Sequence, residues 1–177
     1  MRIIQALVVV SLISLAACKD DVGNYEKIGK FTVKLNGDSL EFISVFDKAA
    51  DRSGIRKMTP VGVDLILIDG YAGDKDGEPD LPVISLSLQS GITNKTMSLM
   101  FVQVFDKDYQ TALTSQGPIG NHQMQNLEIG EDGSISFDFT ADLVRITTQE
   151  EKIVEGAAGA HIEGHFSGTI PASELEE

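Results

Sequence analysis

Apolar residues recur at every second position over much of this chain, and that period decides what it can fold into. Phe31, Val33 and Leu35 alternate with Thr32 and Lys34, the pattern of a strand with one buried face. Asn36-Gly37 follows. Both residues tolerate positive φ, so the pair predicts a tight hairpin into a second strand, Leu40 to Phe46. Val61 to Ile68 and Val83 to Leu88 read as further strands, the latter with Ile84, Leu86 and Leu88 on one face and Ser85 and Ser87 on the other. Thr96 to Phe105 is the longest apolar stretch, and Leu99 to Val102 reads as buried on both faces, hence central. Gln125 to Ile129 and Ser134 to Thr147 flank Glu131-Asp132-Gly133 as a hairpin. His161 to Ile170 closes the set, with Ile162, Phe166 and Ile170 set against polar neighbours. Asp106 to Ser115 reads as a turn or two of helix or a loop, and Gln149 to Ala158 as a helix by propensity or a loop. Val45-Phe46-Asp47-Lys48 recurs as Val104-Phe105-Asp106-Lys107, each time where a strand should end, but four residues are too few to establish a repeat. The expectation is an all-β fold, an antiparallel β-sandwich or small barrel of about eight strands.

The beginning of the chain follows a different pattern. Met1 and Arg2 give a short positive start, Ile3 to Ser14 an apolar run, and Leu15-Ala16-Ala17-Cys18 closes it. A spanning helix needs roughly 20 apolar residues, whereas this run holds twelve and includes Gln5, Ser11 and Ser14. That length and order predict a secretory signal peptide. Cleavage before Cys18 leaves 160 residues, enough for one domain with its own core. Cys18 is the sole cysteine, so the core must hold without a disulfide. Without Arg2, 13 basic side chains face 27 acidic ones, a formal charge of −14. Such a surface repels nucleic acid, whose affinity comes from Lys and Arg contacts to phosphate. Trp is absent and only Tyr25, Tyr71 and Tyr109 are tyrosines, so aromatic platforms for sugars or bases are scarce.

Leu15-Ala16-Ala17-Cys18 resembles the lipobox of bacterial lipoproteins, in which the cysteine is acylated and becomes the first residue of the mature chain. The resemblance implies lipidation of Cys18, an anchor in the cell envelope at the outer membrane, and no free thiol for cysteine catalysis. Lys19-Asp20-Asp21 can be an ordinary acidic spacer. Equally, it resembles the run that marks surface-exposed lipoproteins of Bacteroidetes-type bacteria. More loosely, Phe31 to Gly37 and Gly164 to Thr169 resemble the opening hairpin and closing strand of small, uncharacterised lipoproteins of that type, which implies a β-sandwich and no particular activity. The expected organisation is a cleaved signal peptide over residues 1–17, a lipidated tether over 18–28 and a single β-sandwich domain over 29–177.

Two sets of side chains invite a metal. Asp74, Asp76, Glu78 and Asp80 alternate in an acidic stretch running from Asp69 to Asp80, and calcium takes six to eight oxygens from such loops. Pro79 stands where an EF-hand loop needs glycine and Ser85 where it needs a bidentate glutamate, so a solvated hairpin loop competes with a calcium site. His161, Glu163 and His165 would share one strand face, a zinc-type donor set, with His122 a further ligand from the Gly117 to Gly120 loop. The opposite face carries Ile162, Phe166 and Ile170, which puts the histidines toward solvent. Phosphate-cradling, dinucleotide-binding and nucleophile-elbow motifs are missing from the sequence. The reading is therefore a membrane-anchored envelope lipoprotein with a non-catalytic binding or structural β-domain and no required cofactor. Two alternatives stand beside it: a calcium-dependent carbohydrate- or protein-binding module using residues 69–80, and an envelope hydrolase using carboxylates or the His161, Glu163 and His165 face.

Overall fold

The computed structural model describes residues 24–73, 79–93, 96–107, 109–116 and 121–175. Its strands are β1 (Tyr25–Leu35), β2 (Asp38–Asp47), β3 (Arg52–Ser53), β4 (Ile55–Met58), β5 (Leu65–Gly73), β6 (Pro79–Ser90), β7 (Met97–Phe105), β8 (Thr111–Thr114), β9 (Asn121–Ile129), β10 (Ser134–Thr147) and β11 (Ala160–Thr169). Eight of them, β1, β2, β5, β6, β7, β8, β10 and β11, form a closed antiparallel barrel, with β3, β4 and β9 as additions. Ile43 of β2 pairs with Tyr71 of β5, and that junction makes the ring a barrel and not a sandwich. β1 begins at Tyr25, inside the segment expected as tether, and takes up the extra residue in a bulge between Lys27 and Gly29.

Asn36 and Gly37 have φ of 52° and 93°, the left-handed angles that a two-residue hairpin demands. The hairpin they close sets the register of the core. Phe42, Phe31, Phe166 and Phe137 fall on one rung across β2, β1, β11 and β10, all at most 1% exposed. The Phe31 and Phe166 centroids lie 4.5 Å apart and those of Phe137 and Phe166 5.5 Å. Neighbouring rungs make room with glycine: Gly29 and Gly168 on one side, Gly164 on the other. A Cβ on Gly168 would stand 2.7 Å from the Phe166 ring, and one on Gly164 2.6 Å from Val33. Alternating large and small layers is how a small barrel fills its interior. Each buried ring contributes about 1.5–3 kcal/mol.

The chain departs from the sequence expectation in four places. Val61 to Ile68 is not one strand: Pro60–Gly62 makes a 3-10 turn closed by the Val63 N–H to Pro60 carbonyl bond of 3.1 Å, and β5 starts at Leu65. Proline fixes φ and Gly62 takes φ of 77°, which suits a corner. In β7 the apolar run is not buried on both faces. Ser87 pairs with Phe101 and Leu88 with Leu99, so Met100 is the extra residue of a bulge and is exposed. Asp106 to Ser115, expected as a short helix or a loop, contains a strand, β8. Arg52 to Met58 carries two short strands that no alternation announced.

β3 and β8 have a common role. After Val45-Phe46-Asp47-Lys48 the chain turns back to pair Phe46 with Ser53, and after Val104-Phe105-Asp106-Lys107 it turns back to pair Phe105 with Ala112. The recurring tetrapeptides are thus two strand exits, each followed by a short return strand where the barrel wall would otherwise open.

Candidate functional site

Three places bear on function, and the first is the histidine face. His161, Glu163 and His165 lie on the outer face of β11, opposite Asp142, Thr140 and Asp138 of β10. Each finds a partner of opposite character. His161 Nδ1 is 2.8 Å from Asp142 Oδ1, His165 Nδ1 is 2.8 Å from Asp138 Oδ1, and Lys34 Nζ donates to Glu163 Oε1 at 3.1 Å. A carboxylate only accepts, so each ring donates from Nδ1 and leaves Nε2 toward solvent. The Asn126 side-chain amide donates to Asp138 Oδ2 at 2.6 Å. That bond first, and the bond from His165 second, hold Asp138 below the usual carboxylate range.

The face is therefore a ladder of exposed cross-strand pairs. Among the described residues no three His, Cys, Asp or Glu side chains converge as a metal group. Among the described residues each imidazole is bonded to its aspartate and to no hydroxyl. His122 does not join this face. It sits on β9 opposite Ala141, in the row of Ile162, and residues on one row share a side. Its Nδ1 is buried without a partner.

The second place is the acidic loop. Asp74, Asp76 and Glu78 lie outside the described residues. Asp80 opens β6, exposed, with its Oδ1 accepting the Leu81 N–H at 2.7 Å.

The third place was not foreseen from sequence. Beyond the Ile43–Tyr71 junction β2 and β5 splay apart, with β3 following β2 and β4 following β5. Gly54 sits at the crotch, its N–H donating to the Val45 carbonyl at 2.8 Å and its carbonyl accepting the Asp69 N–H at 2.7 Å. A Cβ there would meet three backbone atoms between 3.1 and 3.3 Å. Ser53 Oγ secures the corner, donating to the Ile55 carbonyl and accepting the Ile55 N–H.

The split opens a cleft of about 540 Å³ lined by Tyr25, Asp47, Arg52, Arg56, Asp69 and Tyr71, among others. Asp69 is committed: Arg56 Nη2 donates to its Oδ2 at 3.1 Å and Ser85 Oγ to its Oδ1 at 2.6 Å. Asp47 Oδ1 accepts the Ala49 and Ala50 N–H groups. Arg52 forms no ion pair among the described residues. Burial first, and the neighbouring Asp69 charge second, push the Tyr71 hydroxyl up from its ordinary pKa.

The cleft's volume is that of a small-molecule site. It holds two of the three tyrosines in the chain and two of its four arginines. That concentration was invisible in sequence because Tyr25, Arg52 and Tyr71 come from three separate strands. The only signal was the scarcity of both residue types. Comparison of the chain with protein-family models, curated proteins and solved structures finds no match.

Proposed function

We propose that this chain is a lipid-anchored protein of the cell envelope whose barrel is a non-catalytic binding domain. The anchor is acylated Cys18. The reading is carried by one observation: only six residues separate the Leu15-Ala16-Ala17-Cys18 box from Tyr25, where a closed barrel begins. A signal cut before Cys18 gives a mature chain that starts at its lipid and goes almost directly into its fold. More than one acyl chain is needed for a lasting hold, since a single chain binds only marginally.

Binding at the outer wall is supported by how the interior is filled. Phe31, Phe42, Phe137 and Phe166 occupy the barrel axis, which leaves surface clefts as ligand positions. The cleft between β2 and β5 offers guanidinium donors, carboxylate acceptors and two phenol rings together. Its four carboxylates, Asp47, Asp51, Asp69 and Glu174, outnumber Arg52 and Arg56. A strongly anionic ligand is disfavoured there, and an uncharged polar one uses both signs of charge.

The test is intact mass spectrometry of the membrane fraction from producing cells. The expected species begins at Cys18 and carries glyceride and acyl mass, and Cys18→Ser accumulates as the uncut, unacylated precursor in its place. A wild-type chain that keeps residues 1–17, or one cut there with no added lipid mass, overturns the reading.

A further inference from the structure

The barrel has two ends, and they differ. Ser90 pairs with Met97, Leu65 with Gln89, Met58 with Leu65, and Ser134 with Thr169. These pairings bring the start of β1, residues 91–93 after β6, the ends of β4 and β9 and the described residues after β11 to one end. The Asn36–Gly37 turn and residues 148–159 lie at the other.

Seven large apolar or aromatic side chains stand exposed among the described residues, and four of them, Met58, Ile92, Ile129 and Leu175, belong to the β1-start end. Ile92 is 78% exposed and Ile129 is 47% exposed. Ile129 borders a groove of about 450 Å³ that also has Ile66, Met97, Ile170 and Leu175 in its walls. Lys57, Asp64 and Glu131 line it as well. Ile129 and Leu175 thus border one recess of mixed apolar and charged lining at the end where the chain enters the barrel.

We infer that this end is a docking surface for the lipid bilayer, with Ile92 and Ile129 reaching the boundary between headgroups and acyl chains. The inference rests on the anchor proposed above. The length of chain before the barrel selects the occupant. From Cys18 to Tyr25 there are seven Cα steps, at most about 25 Å when fully extended. β1, with 11 residues, runs about 35 Å. A tether shorter than the wall holds the β1-start end near the membrane and keeps the Asn36–Gly37 end from it.

Apolar side chains at an interface settle about 5–10 Å deep, which two isoleucines already exposed at this end can reach without unfolding anything. Asp64 and Glu131 outnumber Lys57 in the lining of the recess. The matching surface is therefore zwitterionic, and anionic lipid weakens the contact by like-charge repulsion.

Acylation of Cys18 also makes the test simple, because an introduced cysteine is then the only thiol. Purified acylated protein carrying Ile92→Cys, Ile129→Cys or, at the far end, Ala158→Cys is labelled with an environment-sensitive fluorophore. Each is reconstituted on phosphatidylethanolamine–phosphatidylcholine vesicles with and without brominated acyl chains. Positions 92 and 129 should show a blue-shifted emission and at least about twofold more quenching by bromine than position 158, at the depth expected of interfacial side chains. Replacing a fifth of the lipid by phosphatidylglycerol should reduce that difference. Equal quenching at all three positions, or none while the protein floats with the vesicles, overturns the docking surface and leaves the anchor standing. Failure to float overturns the anchor and the docking together. Both isoleucines are exposed, so each labelled variant should retain the wild-type melting curve, and agreement between the two guards against a local artefact.

Discussion

At the scale of single residues, empty positions matter as much as filled ones. Gly70 of β5 faces the Phe31 ring across the barrel, and a Cβ there would come within 2.5 Å of Phe31 and 2.9 Å of Ile84. Ring and strand are both fixed by the rung they belong to, so neither can retreat. Gly70→Ala should destabilise the barrel by about 1–3 kcal/mol, the usual penalty for overpacking a core. A urea midpoint unchanged from wild type would contradict this. Asp138 gives a pH-dependent counterpart on the surface. Asn126 and His165 hold its folded pKa below the unfolded value of about 4. The folded state therefore binds fewer protons than the unfolded one in that window. The associated stability is present above the unfolded pKa and is lost as pH falls through the folded one. Asn126 has φ of 54°, so Asn126→Gly removes the amide without straining the backbone. The expected result is a higher Asp138 titration midpoint by NMR; an identical midpoint would show that the amide bond is idle in solution.

Among elements, the short strands carry the closure. β8 has four residues and still joins β7 to β10, pairing Val104 with Leu113 and Val144 with Thr114. Its hold on β7 extends one residue further. The Ser115 N–H donates to the Val102 carbonyl at 2.9 Å, and Ser115 Oγ accepts the Val102 N–H at 2.8 Å. Both residues are fully buried, so Ser115→Ala leaves an amide with neither partner nor water. The loss should be about 1–3 kcal/mol, with faster hydrogen exchange at Val102; exchange at the wild-type rate would refute it. An Asp106, Thr111 and Arg145 cluster pins the same return strand at its other end. The long strands were legible in sequence because ten or so residues show their period. β3, β4 and β8 were not, since two to four residues cannot display an alternation and their hydrogen bonds come from distant strands. Met100 hid the reverse way: a bulge inserts one residue and turns a plain alternation into a continuous apolar run.

For the whole molecule, the first and last strands decide the topology. β1 and β11 pair over seven residues from Gly29↔Gly168 to Leu35↔Ile162, and the Asn36 N–H donates to the His161 carbonyl while Asn36 Oδ1 accepts the His161 N–H. That pairing joins two segments far apart in the chain, Phe31 to Gly37 and Gly164 to Thr169, and puts the start of β1 and the Asn36–Gly37 turn at opposite ends. The candidate site divides in the same manner. The exposure of the histidine face followed from the alternation of Ile162 and Phe166, whereas the capture of each imidazole by an aspartate on β10 depended on a register that no single strand contains. The cleft needed more still, because Tyr25, Arg52 and Tyr71 meet only where β2 and β5 part. By itself the sequence determined the all-β class, the inward and outward faces of the long strands and the Asn36–Gly37 hairpin, since each is written in local periodicity or a contiguous motif. Only the tertiary structure decided barrel over sandwich, the position of the cleft and which end gathers Met58, Ile92, Ile129 and Leu175. Those depend on hydrogen bonds and contacts between residues far apart in the chain, and local pattern carries no record of which strand will be the neighbour.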